Sequence, residues 1–417
     1  MSWLGGSGKR IGPGVITGAA DDDPSGIATY SQAGAQAGFG LLWTIVLTLP
    51  MMVAVQSVSA RIGRVTGQGL AANFVKLFPR FIVLGLVALL LVANTINIGA
   101  DLAAMGAATE LALGGPSRLY TVGFALVSLA AIVFIPYHHY VGVLKWLTFS
   151  LFAYVGVVFA IDIDWRAVAA GALVPRLAFD APTVTLIVAV FGTTISPYLF
   201  FWQASEEVEE EEADADSGPL LERPEQAVRE LRRIGWDTWL GMGFSNLIAF
   251  FIMLTTALTL NASGHTDIAT SAEAAAALRP IAGEFAFLLF ALGIVGTGLL
   301  AVPVLAGSAA YAVGEALGSR TGLERRPGEA RLFYAVIGAA ILIGLGIDFA
   351  PISAFQALLW SAVLNGVITV PIMAAMLLVA SRRAVMGDFV ATPLQRLGGW
   401  TTVAMMGLAT IAMFALL

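Results

Sequence analysis

The sequence predicts an all-α polytopic membrane protein of eleven transmembrane helices, and three observations predict it. The 417 residues are 58% hydrophobic and 12% charged, whereas soluble chains carry roughly 25% charged residues. A soluble globule of this size could not hide so much apolar surface. Eleven apolar runs approach or exceed the ~20 residues that a bilayer-crossing helix needs, at 11–36, 41–60, 81–113, 119–136, 142–161, 183–205, 238–260, 281–316, 332–347, 352–380 and 399–416. Alternating the chain across these runs puts eighteen of the 22 Lys and Arg residues on one side and four on the other. That asymmetry fits a cytoplasmic N-terminus and an outside C-terminus in a cytoplasmic membrane.

The same numbers exclude function classes. A net charge of −6 and the absence of cysteine argue against nucleic-acid binding and remove thiolate metal sites, disulfides and cysteine nucleophiles. No His/Glu metal motif or nucleophile elbow points to an enzyme. Met1–Arg10 is short and leads into an apolar run that ends in acids, so it does not read as a cleavable leader.

The first span is interrupted. Ile11–Ala20 is apolar, then come Asp21-Asp22-Asp23-Pro24-Ser25-Gly26, then apolar residues resume at Ile27. Pro24 lacks an N–H and its ring opposes helical packing. Backbone freed in this way is tolerated at membrane depth only inside protein or beside a water-filled cavity. A carboxylate in mid-membrane marks function by default. Asp23 abuts the proline and is the first candidate ligand, with Asp21 and Asp22 candidates for an access or proton path. Successive helical residues point about 100° apart, so the three acids cannot share one small cavity while the helix holds. Crowded together they require a cation or a proton among them.

In the third span Asp101 is central, either as a proton or gating carboxylate or as a partner for Thr or Asn on a neighbouring helix. Glu110 lies nearer the outer surface. The sixth span is also broken, at Gly192-Thr193-Thr194-Ile195-Ser196-Pro197-Tyr198. Matched breaks in spans one and six divide the chain into repeats of five spans, approximately 11–161 and 183–380, with 399–416 appended as an extra helix to one transporter domain. Between spans six and seven, Glu206–Asp237 reads as a solvated loop that opens with acids and turns basic. The other reading of its acidic start, Glu206–Asp216, is a cation-attracting vestibule. In span ten Asn365 is a candidate to complete the cavity or to bond another helix. The adjacent His138 and His139 sit at a span end and read as interfacial, and Met51, Met52 and Met105 read as core or lipid-facing.

The donors at the two breaks are carboxylate, hydroxyl and backbone carbonyl oxygens. Such sites suit hard cations, Mg²⁺, Ca²⁺ or Mn²⁺.

Asp23-Pro24-Ser25-Gly26-Ile27-Ala28-Thr29-Tyr30, Gly192–Pro197 and Asp101-Leu102-Ala103 resemble the first-, sixth- and third-span signatures of the NRAMP divalent-metal transporters. The resemblance implies a LeuT-type 5+5 inverted-repeat fold with broken helices 1 and 6, and alternating access. It implies a metal site formed by Asp23, position 26, the backbone carbonyls of Ala20 and Thr193, and position 196. This chain departs from the family pattern in four places: Gly26 where Asn is usual, Ser196 where Met is usual, Tyr198 where His is usual, and Ala104 where a second acid is usual. Losing Met removes the soft ligand that favours Mn²⁺ and Fe²⁺, and losing Asn leaves room for a larger or still-hydrated ion. The pattern therefore resembles the family's Mg²⁺-transporting relatives. Asp101, Asp21, Asp22, Thr194, Tyr198 and Asn365 remain candidates for gating or a proton path.

The expected activity is secondary transport of a divalent cation, Mg²⁺ or else Mn²⁺/Fe²⁺, drawn by the cation gradient and a membrane potential contributing about 2.3 kcal/mol per charge per 100 mV. The alternatives are proton-coupled Mn²⁺/Fe²⁺ uptake and a sodium-coupled small-solute transporter of the same architecture. The metal is cargo and no cofactor is expected. The partners are the ion and the lipid bilayer, without nucleic acid, and neither composition nor spacing assigns an oligomeric state.

Overall fold

The computed structural model describes residues 12–135, 149–214, 216–349 and 353–417. His138, His139, Met1–Arg10 and the start of the fifth expected span lie outside these residues. Among the described residues the chain is helical throughout, without strands.

Helices α1 (Pro13–Asp21) and α2 (Pro24–Ala37) are the halves of the first expected span. A short turn at Gly38–Leu41 follows, opened by Gly38 at φ +55°, where a side chain would be strained. Then come α3 (Leu42–Thr66), α4 (Leu70–Leu77), α5 (Arg80–Leu113), α6 (Ser117–Phe134), α7 (Phe152–Ala160) and α8 (Trp165–Leu173). The second half runs through α9 (Ala181–Thr194), α10 (Pro197–Glu212), α11 (Ala227–Thr259), α12 (Ala286–Ala316), α13 (Arg331–Leu345), α14 (Ala354–Ala380) and α15 (Pro393–Leu416). Nine helical segments among the described residues are long and apolar enough to cross a membrane. One of them, Pro24–Thr66, joins α2 and α3, and α7 belongs to a shorter apolar helix, Phe149–Ala160.

The long α5 packs against α12 and α14, and α9 packs on α14. These contacts bring both breaks to the centre of the bundle. The α9–α14 seam is backbone against backbone: a Cβ on Gly192 would collide with the Ala362 carbonyl and Gly366 nitrogen. On the other side α1 lies along α11, where a Cβ on Gly18 would strike Gly241 and one on Gly241 would strike the Gly14 carbonyl. Met51, Met52 and Met105 are core residues. Glu110 is exposed.

The acidic stretch after span six corrects the solvated-loop expectation. Glu206 to Glu212 continue α10 as helix rather than loop. Glu207 is fully buried and Glu211 nearly so. Arg233 reaches Glu207 at 2.5 Å, Glu210 at 3.0 Å and Glu230 at 3.0 Å. Arg64 lies 3.5 Å from Glu211 and 3.6 Å from Glu230. Glu207, Glu210, Glu211 and Glu230, which composition assigned to solvent, are paired with Arg64 and Arg233 at the shared ends of α3, α10 and α11. Arg325 adds a looser pair with Glu212 at 3.4 Å.

Candidate functional site

Each break is two residues wide and is followed by a proline at the first position of the next half-helix. Asp22 and Asp23 separate α1 from α2, and Ile195 and Ser196 separate α9 from α10. Proline is pre-set for that position, where its missing N–H would have no helical partner. Asp23 caps α2: its Oδ1 accepts from the Gly26 N–H at 2.7 Å and from the Ser25 hydroxyl at 2.7 Å. Its Oδ2 accepts from Asn97 Nδ2 on α5 at 3.1 Å. Asn97 is fixed in turn, its Oδ1 accepting from Ser361 of α14 at 2.7 Å.

The two breaks face each other. Ser25 and Thr193 hydroxyls stand 3.4 Å apart, and Tyr30 meets Thr194 at 2.9 Å. The Tyr198 hydroxyl donates to the Ala20 carbonyl at 3.3 Å. Ser196 turns its hydroxyl back onto the carbonyls of Gly192 at 2.7 Å and Thr193 at 2.9 Å. A Cβ on Gly26 would sit 3.3 Å from Thr193 Oγ1, so this position is close to the opposite break.

The three aspartates separate as helical geometry requires, although all are buried. Asp21 and Asp22 both accept from the Ser245 hydroxyl of α11, at 2.5 and 3.0 Å, while Asp23 faces Asn97. Among the described residues one Asp21 oxygen, both Asp101 oxygens and both amide atoms of Asn365 are buried without a hydrogen-bond partner. Such atoms are costly, about 1–3 kcal/mol each and more for charged groups. Asp101 therefore does not make the interhelical bond to Thr or Asn that was its structural alternative.

The structure thus brings Asp21, Asp22, Asp23, Ala20, Gly26, Thr193, Thr194, Ser196 and Tyr198 together at one locus. Asp101 lies one turn beyond Asn97 on α5, and Asn365 lies on α14 near the second break. Sequence reasoning missed the supports Ser245 and Ser361, and Asn97 as the residue that holds Asp23. Their only signal was a polar side chain at helical spacing within an apolar span.

A helical bundle with paired half-helix ends around buried acids is an architecture found among transporters. Comparison with solved structures agrees on the fold. The Eremococcus coleocola manganese transporter superposes with a TM-score of 0.73 at 17% identity, covering 96% of this chain and 85% of that one. The nucleobase-cation-symport-1 family transporter Mhp1, in a closed conformation, gives a TM-score of 0.56 at 15% identity over 98% of this chain and 93% of that one. Both are LeuT-like folds.

The chain belongs to the Nramp family: the model described as natural resistance-associated macrophage protein-like matches residues 14–416. Members of this family are metal transporters, not enzymes. Curated relatives include the divalent metal cation transporter MntH of Yersinia pestis (strain Pestoides F), 29% identical over 69% of this chain and 68% of that protein. The MntH of Verminephrobacter eiseniae (strain EF01-2) is 28% identical over 69% of this chain and 64% of its own length.

Proposed function

We propose that this chain carries divalent metal cations across a cytoplasmic membrane by alternating access. The ion sits between the two breaks, with Asp23 as its anchor and the Ala20 and Thr193 carbonyls as further oxygen ligands. Gly26 and Ser196 both lie against Thr193. The observation that carries this reading is the buried Asp23 carboxylate at a proline-marked break, held by Asn97 and Ser25 opposite Thr193. One Asp21 oxygen, two residues before Asp23, and both Asp101 oxygens, one turn from Asn97, are buried without partners, and a doubly charged cargo would satisfy them. The printed names of the relatives, divalent metal cation transporter and manganese transporter, support a metal as cargo.

The ion in this reading is Mg²⁺. The donor set is oxygen throughout, with a hydroxyl at Ser196 where a thioether would favour softer ions. Gly26 offers no side-chain ligand, which suits an ion that keeps some of its waters, as Mg²⁺ does. Proton-coupled Mn²⁺ or Fe²⁺ uptake is the second reading, favoured by Asp101, whose partnerless carboxylate suits a proton acceptor. Sodium-coupled small-solute transport draws only on the shared fold and loses support with membership of a metal-transporter family.

The topology in this reading has eleven spans, with α1 and α2 forming one broken span and α7 lying in the fifth. The repeats cover approximately 11–161 and 183–380, and 399–416 is the extra helix. The cluster of Arg64, Arg233 and Arg325 at one end of the bundle supports a cytoplasmic N-terminus and an outside C-terminus.

A flux panel in reconstituted vesicles tests the reading. Mg²⁺, Ca²⁺, Mn²⁺, Fe²⁺ and Co²⁺ are offered while internal pH is recorded. Saturable Mg²⁺ entry without acidification is expected. Mn²⁺ entry with stoichiometric acidification selects the second reading, and no divalent flux at all overturns both.

A further inference from the structure

Helix α14 crosses the centre of the bundle with three polar residues one turn apart on one face: Ser361, Asn365 and Thr369. The outer two are accounted for. Ser361 donates to Asn97, the residue that holds Asp23, so it marks where this face meets the first break. Thr369 donates to the Ile195 carbonyl at 3.1 Å, so it marks where the same face meets the second break. Asn365 lies midway, about 6 Å along the axis from each. It is 1% exposed, and neither amide atom has a hydrogen-bond partner.

An unpaired primary amide in a protein interior costs stability that an apolar side chain of similar size would not. The Gly192–Gly366 contact brings the α14 backbone against α9 beside this position. The amide thus lies on α14 between the turn that meets the first break and the turn that meets the second, with its own polar atoms unused.

We propose that Asn365 is a recognition residue for the transported cation, its amide oxygen accepting a hydrogen bond from a water that the ion carries. The ligand class is a partly hydrated divalent cation. Position 26 has no side chain to contribute, and in this proposal Asn365 supplies an amide from α14 through a water. A contact through water favours an ion that dehydrates reluctantly, so Asn365 is a determinant of Mg²⁺ preference. This rests on the reading that the ion sits between the breaks.

The test uses the full chain in vesicles, with Mg²⁺ and Mn²⁺ as probes and the melting temperature in detergent as a second readout. Asn365→Leu is expected to raise the KM for Mg²⁺ about tenfold, equivalent to about 1.4 kcal/mol, and to raise that for Mn²⁺ much less. Its melting temperature should equal or exceed that of the parent. Asn365→Asp, which preserves the shape, should change the ratio of the two KM values by about fivefold or more, on the same energy scale, and serves if the leucine variant does not fold. Asp23→Ala is run alongside. Dead Asp23→Ala with parental KM values in both Asn365 variants removes Asn365 from the ion path and leaves the proposed site standing. Unaltered flux in Asp23→Ala places the ion elsewhere and overturns both. A lowered melting temperature with unchanged KM values would make Asn365 a structural residue only.

Discussion

Asp23 uses both carboxylate oxygens on protein donors, yet those donors are a backbone N–H, a hydroxyl and an amide, with no cation among them. It is oriented without being neutralised, which suits an anchor for a mobile charge. Ser196 does the opposite: its hydroxyl is spent on the carbonyls of Gly192 and Thr193. Ser196→Met would free those carbonyls and add a thioether. It is expected to shift the Mg²⁺/Mn²⁺ preference toward Mn²⁺ by about tenfold, measured by competition flux in vesicles, and an unchanged ratio would remove position 196 from the ion's surroundings. At this scale the sequence was informative where a residue breaks a local rule, as an acid or a proline in an apolar run does. It was silent where the role depends on a distant partner. Nothing near Ser245 announces that it bridges Asp21 and Asp22 from more than 200 residues away, and Asn97 becomes legible only once α5 lies beside the first break.

Helices were legible because apolar length and punctuation by Pro, Gly and Arg carry their own signal. The breaks were legible because proline removes a backbone donor at a countable position. Glu206–Glu212 was misjudged for a physical reason: charge density indicates solvent only when opposite charges are not delivered from elsewhere, and Arg64 and Arg233 arrive from α3 and α11. The helix-to-helix seams depend on tertiary approach that spacing alone does not reveal. Gly192→Ala would push a Cβ into the Ala362 carbonyl and Gly366, and overpacking of this kind costs about 1–3 kcal/mol. A lower melting temperature in detergent is expected, together with slowed flux, since α9 carries Thr193. A variant with parental stability would mean that the seam relaxes freely.

At the scale of the molecule, two groups of polar residues among the described ones stand in contrast. One is the sparse, underpaired set at the breaks. The other is the dense lattice of Arg64, Arg233 and four glutamates that ties the ends of α3, α10 and α11. Removing one partner of a buried ion pair strands the other and costs roughly 3–5 kcal/mol. Arg233→Ala leaves Glu207 buried without its cation and should lower the melting temperature sharply. Arg233→Lys should recover only part of the loss, because an ammonium cannot span three carboxylates as a guanidinium does. Equal melting temperatures for parent and alanine variant would show that the lattice is dispensable.

The glycine seam between α1 and α11 has a mechanical meaning. Gly14 and Gly18 meet Gly241 with no interlocking side chains, and the Asp237 carboxylate pins the near end by accepting from the Gly14 N–H at 2.6 Å. The first half-helix is therefore seated like a shaft in a smooth sleeve with a latch at its tip. At its other end the Ser245 hydroxyl of the same partner helix holds Asp21 and Asp22, so the work of parting the two rods falls on these two end contacts and not on the glycine seam between them.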